Sequence, residues 1–368
     1  MINYIDKNEN NHKTPFPGKI VVITSDKFTS GDDFHSADPL IAKYGAGKII
    51  HNSWASDASV RQKEMTDFIS GLASDREFRV LIFNQAFPGT NAAVDKLKET
   101  RDDVFIIYCS VHDPTPEAAC RASLMLRPNE LGMGRAMVHQ AKKQGAKVFV
   151  HYSFPRHISQ PIISSRRDII LDTCAAEGIN YVDAKALDPT GEAGLDAARA
   201  FILDDVPKMT SKYGEDTAFF CTNCHLQEPL IKAVVNCHAI YPQPCCPSPY
   251  HGFPEALGIE TSGGMNDLNY IISEACRIAE EKSMTDRLST WPVSSSMMFT
   301  NAGAEYAIKW ILGEVPETGI DAGVLADCMH DYIREVIGEE SNVYMTPYSE
   351  KGVTYENYKM LLMSYLDF

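Results

Sequence analysis

Cys221, Cys224, His225, Cys237, His238, Cys245 and Cys246 fall within 26 residues, and thiolate sulfur with imidazole nitrogen is the donor set of a tetrahedral zinc site. Cys221-Thr222-Asn223-Cys224-His225 also has the C-x-x-C-H spacing of covalent haem attachment. Haem needs an open pocket in an extracytoplasmic protein, whereas here the first cysteine closes the apolar run TAFFC and His225 opens a helical pattern. Zinc meets a different objection: Cys221 and His238 stand at opposite ends of one strand-helix unit, and no second C-x-x-C follows. Cysteine packs readily as a small apolar side chain. The cluster is therefore read as buried cysteines, with no metal site and no cofactor assigned.

A second set of residues suits binding better than catalysis. Thr222 and Asn223 end a strand, where Asn and Thr offer donors and acceptors together and can cap the next helix. Ser25 and Thr29 follow the first strand, Gln85 the third, and Ser110, His112 and Asp113 the fourth. The cleft reading of His112-Asp113 competes with a plain turn at Asp113-Pro114. Arg166 shares a helical stripe with Ile162, Ile169 and Thr173, which places a charge on a face that otherwise packs inward. It is read either as a clamp for a carboxylate or a sugar hydroxyl or as a snorkelling surface side chain. Phe28, Phe34, Phe87 and Phe154 sit in strand-to-helix loops, where a ring either stacks on a ligand or pins its own loop. Phe28, Phe154 and Ser294 complete the candidate set.

Signatures of catalysis are missing from the sequence: it contains no G-x-S-x-G, no G-x-x-x-x-G-K-[ST] and no G-x-G-x-x-G after the first strand. The chain is expected not to be an enzyme. With 34 basic against 49 acidic residues the formal charge is -15, which repels nucleic-acid phosphate and anionic lipid. No stretch approaches the roughly 20 apolar residues of a membrane span. The polar leader, residues 1–16, lacks the apolar centre of a signal peptide, and ten irregularly spaced cysteines suit a reducing compartment. The expected location is the cytoplasm, or outside it if the leader is the tether of an exported protein whose signal has been removed.

The elements that position these residues repeat one pattern. KIVVITS (19–25), KIIHN (48–52), FRVLIF (78–83) and VFIIYC (104–109) are short apolar strands separated by helical periodicity, which means a parallel sheet covered on both faces. A second series follows: a helix over 130–144, KVFVHY (147–152), a helix ending at Gly178, NYVD (180–183), a helix over 193–209, the strand at 216–221 with its helix, and HAIY (238–241). The proline-rich stretch after it reads as an ordered loop. A helix over 302–312 follows, then one more helical pattern, and the apolar tail NYKMLLMSYLDF is expected to be docked. In open α/β sheets ligands bind outside the carboxyl ends of the strands, where helix amino termini converge.

The order KIVVITS, FRVLIFNQAFPGT, VFIIYCSVHDP, RPNELGMGRAMVHQAKKQGAKVFVHYS, TAFFCTNCHLQEPLIKAVV and STWPVSSSMMFTNAGAEYAIKWILGE resembles the type I periplasmic-binding-protein fold, shared with the effector domains of LacI-type regulators. The likeness spans about residues 17–313. The chain also looks like an uncharacterised bacterial family sometimes described as candidate regulators. The resemblance implies two similar doubly wound parallel-sheet lobes with a cleft, one from residues 17–128 plus 293–368 and the other from 129–292. It further implies a non-enzymatic binding protein closing on a polar ligand such as a sugar, nucleoside or small carboxylate, as solute receptor or sensor. The alternative is a ligand-sensing regulator without its own DNA-binding domain, acting through a protein partner or as a homodimer. Two features depart from that pattern: no helix-turn-helix is expected in the residues ahead of the first strand at Lys19, and Cys109-Ser110 replace the aspartate that commonly ends the fourth strand in sugar binders.

Overall fold

The computed structural model describes residues 16–27, 30–55, 57–261 and 268–368. The chain divides into two compact units. One comprises Met1–Arg127, Ser296–Tyr332 and Thr346–Lys359, and the other Pro128–Ser295, Ile333–Met345 and Met360–Phe368.

In the first unit the apolar runs form β1 (Lys19–Thr24), β2 (Ile49–Ser53), β3 (Phe78–Phe83) and β4 (Phe105–Cys109). The short run SLMLRP adds β5 (Leu124–Pro128) beside β4. All four pairings among these strands are parallel, and β1, β3 and β4 are almost wholly buried, as strands covered on both faces must be. Helices Ala58–Leu72 and Thr90–Lys98 cover one face, where Met65, Ile69, Val94 and Leu97 pack on Leu81, Phe83 and Ile106. Helix Ser295–Ile311 packs against the sheet through Gly303, where an added Cβ would stand 3.2 Å from Ile107 Cδ1. Phe105 meets Tyr306 and Trp310 beside it.

The second unit is built on β6 (Val148–Ser153), β7 (Asn180–Lys185) and β8 (Thr217–Cys221), parallel in the order β7-β6-β8. The run HAIY does not make a full strand, because His238 takes a left-handed turn at φ 52°. Ile240 extends the ladder from β8, through Phe219 N to Ile240 O and Ile240 N to Thr217 O, both at 2.9 Å. Tyr241 in turn bridges to Leu288, next to β9 (Ser289–Thr290). Helix Gln227–Asn236 buries Leu230, Ile231, Ala233 and Val234 in this core, each large apolar side chain contributing about 1.5–3 kcal/mol. Helix Pro161–Glu177 stops at Gly178, which adopts φ 71° as the left-handed residue that ends a helix.

The C-terminal region differs from expectation. It forms a hairpin of β10 (Val343–Glu350) and β11 (Val353–Met363), with β11 next to β5, and then β12 (Leu366–Asp367) antiparallel to β9. The expected assignment placed all of 293–368 in the first lobe, whereas 333–345 and 360–368 belong to the second unit. The reason is in the tail itself: Asp367 accepts from Gln140 and Lys143, and the Phe368 ring meets Phe253 at 4.8 Å.

Candidate functional site

The polar candidates of the first unit gather at the carboxyl edge of its sheet, but much of their capacity is turned inward. Ser25, directly after β1, is 2% exposed and donates to Asp33 Oδ2 at 3.1 Å. Asp33 is 6% exposed, and Ser296, Ser25, Ser30 and Gln85 all bond its carboxyl. Burial nevertheless dominates and raises its pKa above the usual carboxylate value. Asp33 was not among the sequence candidates, although the acid in the loop TSDKFTSGDDF was its signal. Phe28 and Thr29 lie outside the described residues.

Ser110 leaves β4 with φ 46°, a left-handed conformation that is rare for a residue with a side chain. This turn swings the chain toward His112, whose Nε2 lies 3.4 Å from Gln85 Oε1 and whose ring lies 5.1 Å from that of Phe87. His112 and Asp113 line a 650 Å³ cavity with Arg127, Tyr348, Lys351 and Tyr355, a volume in the range of small-molecule pockets. Burial raises the pKa of Asp113 too, ahead of the smaller influence of Glu117. Tyr348 stacks on Tyr358 at 4.7 Å, and Arg127 donates to the Tyr358 hydroxyl. The first strand of the hairpin that supplies this wall, VYMTPYSE, has no apolar run to mark it in the sequence.

In the second unit the strand ends of β6 and β8 lie side by side. Thr222 is 5% exposed, with Oγ1 3.0 Å from His157 Nδ1. Asn223 is 9% exposed, and its Oδ1 accepts from His225 N at 3.0 Å, capping the turn Cys224–Leu226 that leads into helix Gln227–Asn236. Desolvation lowers the pKa of His157, reinforced by the Arg156 guanidinium, so its imidazole is held neutral. Phe154 takes the packing role: it is 2% exposed, and its ring meets His157 at 4.2 Å and Arg156 at 5.3 Å. Ser294 is buried as well. Arg166 does not snorkel. It is 5% exposed, its guanidinium lies over the Phe220 ring at 5.6 Å, and its Nε has no hydrogen-bond partner among the described residues.

Six of the ten cysteines fall into two groups. Cys109, Cys174 and Cys221 are buried, and desolvation raises each thiol pKa. Cys224, Cys245 and Cys246 converge instead, with Sγ separations of 3.4 Å for Cys224–Cys245, 3.8 Å for Cys224–Cys246 and 4.0 Å for Cys245–Cys246. His251 Nε2 lies 3.7 Å from Cys245 Sγ. Bonds from Cys245 and Cys246 to the Cys224 sulfur hold that thiol well below the usual cysteine range. His225 and His238, singled out with these cysteines in the sequence, take no part, and the imidazole in the cluster is that of His251.

Two α/β units, each built on parallel strands under helices with polar side chains at the carboxyl edge, have the fold of the type I periplasmic-binding-protein-like structures. The chain belongs to the family described as protein of unknown function DUF3798, the match covering residues 18–289. An uncharacterized protein of Treponema pallidum (strain Nichols) is 30% identical over 164 residues, which span 45% of this chain and 76% of that protein. The crystal structure of a candidate transcriptional regulator from Clostridium difficile 630 superposes with a TM-score of 0.84 at 20% identity, covering 96% of this chain and all of the other. A sugar ABC transporter from Actinomyces odontolyticus ATCC 17982 gives 0.52 at 10% identity, covering 83% and 86%. At these identities the two structures establish the fold. Among the described residues, no helix is long and apolar enough to cross a membrane.

Proposed function

We propose that this chain is a non-enzymatic small-molecule-binding protein that holds a polar ligand at the carboxyl edges of its sheets, as a solute receptor or sensor. The observation that carries the reading is the recurrence of polar groups at successive strand ends in each unit: Ser25, Gln85, Ser110 and His112 in the first, Thr222 and Asn223 with His157 in the second. A buried carboxylate at Asp33 that burial destabilises supports the same reading, since perturbed ionisable groups concentrate where ligands are handled. Sugars head the candidate ligands because the Actinomyces protein is described as a sugar transporter, followed by nucleosides and small carboxylates.

The test is a thermal-shift screen of sugars, polyols, nucleosides, amino acids and small carboxylates. A ligand present at 100 times its dissociation constant adds about 2.7 kcal/mol of stability. No shift across the panel at millimolar concentration speaks against the reading. A second reading, a ligand-sensing regulator that acts through a partner or by dimerisation, takes its support from the description of the Clostridium difficile structure. Ligand-dependent association measured by sedimentation favours it over the receptor.

A further inference from the structure

Cys224, Cys245 and His251 have their candidate ligand atoms within 4.8 Å of one another, and Cys246 Sγ lies 3.8 and 4.0 Å from the other two sulfurs. A tetrahedral zinc with Zn–S bonds of about 2.3 Å and a Zn–N bond of about 2.1 Å requires S···S separations of about 3.8 Å and S···N of about 3.6 Å. The observed spacings of 3.4, 3.8 and 4.0 Å between sulfurs and 3.7 Å from Cys245 to the imidazole lie within a few tenths of an ångström of that requirement, and Cys246 completes the set by drawing its sulfur toward the imidazole. No disulfide competes for these sulfurs, because all three cysteines are free. We propose that Cys224, Cys245, Cys246 and His251 form a structural site for zinc or a similar borderline-soft divalent cation.

The surroundings point the same way. Residues 242–249 are mostly buried yet lie outside any helix or strand, so the ladder hydrogen bonds that usually hold buried backbone are few here. A four-ligand site ties this segment to Cys224, at the start of the turn into helix Gln227–Asn236, and supplies the missing cross-link. The charge balance fits too. Three thiolates and a neutral imidazole around a divalent cation carry a net charge of about -1, and the buried Arg166 guanidinium, whose Nε lacks a partner, acts electrostatically on Cys224. Cys224 and Cys246 are exposed, which leaves the ion a path of entry. A complete set of protein ligands has no open position, and open positions are what catalytic zinc requires; the site therefore stabilises the fold and performs no reaction.

The experiment measures metal in the untagged full-length protein by mass spectrometry, and then replaces it with Co2+. The expected result is about one zinc per chain, and a cobalt form showing thiolate-to-metal charge transfer and the intense visible bands of tetrahedral coordination. Cys245→Ser and His251→Ala should weaken Zn2+ binding by more than the roughly 10–100-fold typical of changes outside the coordinating set, while Cys276→Ser retains full stoichiometry. Cobalt needs no substitution, so the outcome does not depend on the variants folding. Less than about a tenth of an equivalent after zinc loading, octahedral cobalt bands, or a disulfide among Cys224, Cys245 and Cys246 in freshly isolated protein each overturn the proposal.

Discussion

The Thr222 hydroxyl and His157 Nδ1 lie 3.0 Å apart and join the end of β8 to the turn that follows β6. The contact ties the terminal residues of two neighbouring strands at the polar edge of the second unit. A double-mutant cycle with Thr222→Val and His157→Phe is expected to give a coupling of about 0.5–1.5 kcal/mol in chemical denaturation, the net value of one hydrogen bond. Additive losses would mean that the two groups do not interact in solution.

Asn223 caps the turn at Cys224–Leu226 through His225 N. Asn223→Ala should cost about 0.5–2 kcal/mol of stability. Urea denaturation measures this, and a change below a few tenths would show that the cap is not formed.

Asp33 gives a prediction with the opposite sign. Its folded pKa is raised by burial, so the unfolded chain releases the proton first, near about pH 3.9. The contribution of Asp33 to stability therefore declines as pH rises from the unfolded value through the folded one. Asp33→Asn, which keeps an acceptor for Ser25, should be more favourable relative to wild type at pH 7 than at pH 4. Denaturation midpoints at the two pH values decide it, and an equal loss at both would contradict the burial argument.

His151 on β6 is 1% exposed, and burial lowers its pKa. Asp183 on β7, 3.9 Å away, favours protonation and offsets part of the burial effect, while Arg166 and Arg167 from helix Pro161–Glu177 oppose protonation and Tyr181 and Phe220 pack on the ring. A base with a depressed folded pKa leaves stability intact above its unfolded value and loses it as pH falls below that value, about 6.5. Wild type should therefore lose up to about 1.4 kcal/mol more per pH unit below that point than His151→Phe does. Parallel pH profiles for the two proteins would remove His151 as the cause.

Much of the fold was legible because buried parallel strands must be apolar along their whole length. KIVVIT, FRVLIF, VFVHYS and TAFFC all occupy the strands expected of them. The β10–β11 hairpin escaped because VYMTPYSE alternates in exposure and carries a proline and charge, so no apolar run marks it. Arg166 was legible as a charge on an inward stripe, and the strand-end positions of Ser110 and Thr222 follow from where β4 and β8 stop. The sulfur cluster was legible only in part: Cys224, Cys245 and Cys246 stand in the zinc donor set of the sequence, but His251 lies five residues beyond Cys246 in an irregular loop, where spacing along the chain says nothing about distance in space. Asp33 was missed because its partners Ser25, Gln85 and Ser296 come from three separate segments.

The formal charge of -15 leads to a further expectation. With acid in excess there is little net counterion release to drive phosphate contacts, so the protein alone should not retain a duplex in a sequence-specific manner at about 0.15 M salt. Retention of one promoter fragment over scrambled duplex in a gel-shift titration would refute this.

The central claim is that a polar ligand contacts these strand-end groups, and titration calorimetry of the ligand found by thermal shift tests it most directly. With wild type as reference, Thr222→Val is predicted to bind at least about tenfold more weakly, a loss of about 1.4 kcal/mol, while circular dichroism shows it folded. An unchanged dissociation constant in both folded Thr222→Val and folded Asn223→Ala would contradict the account.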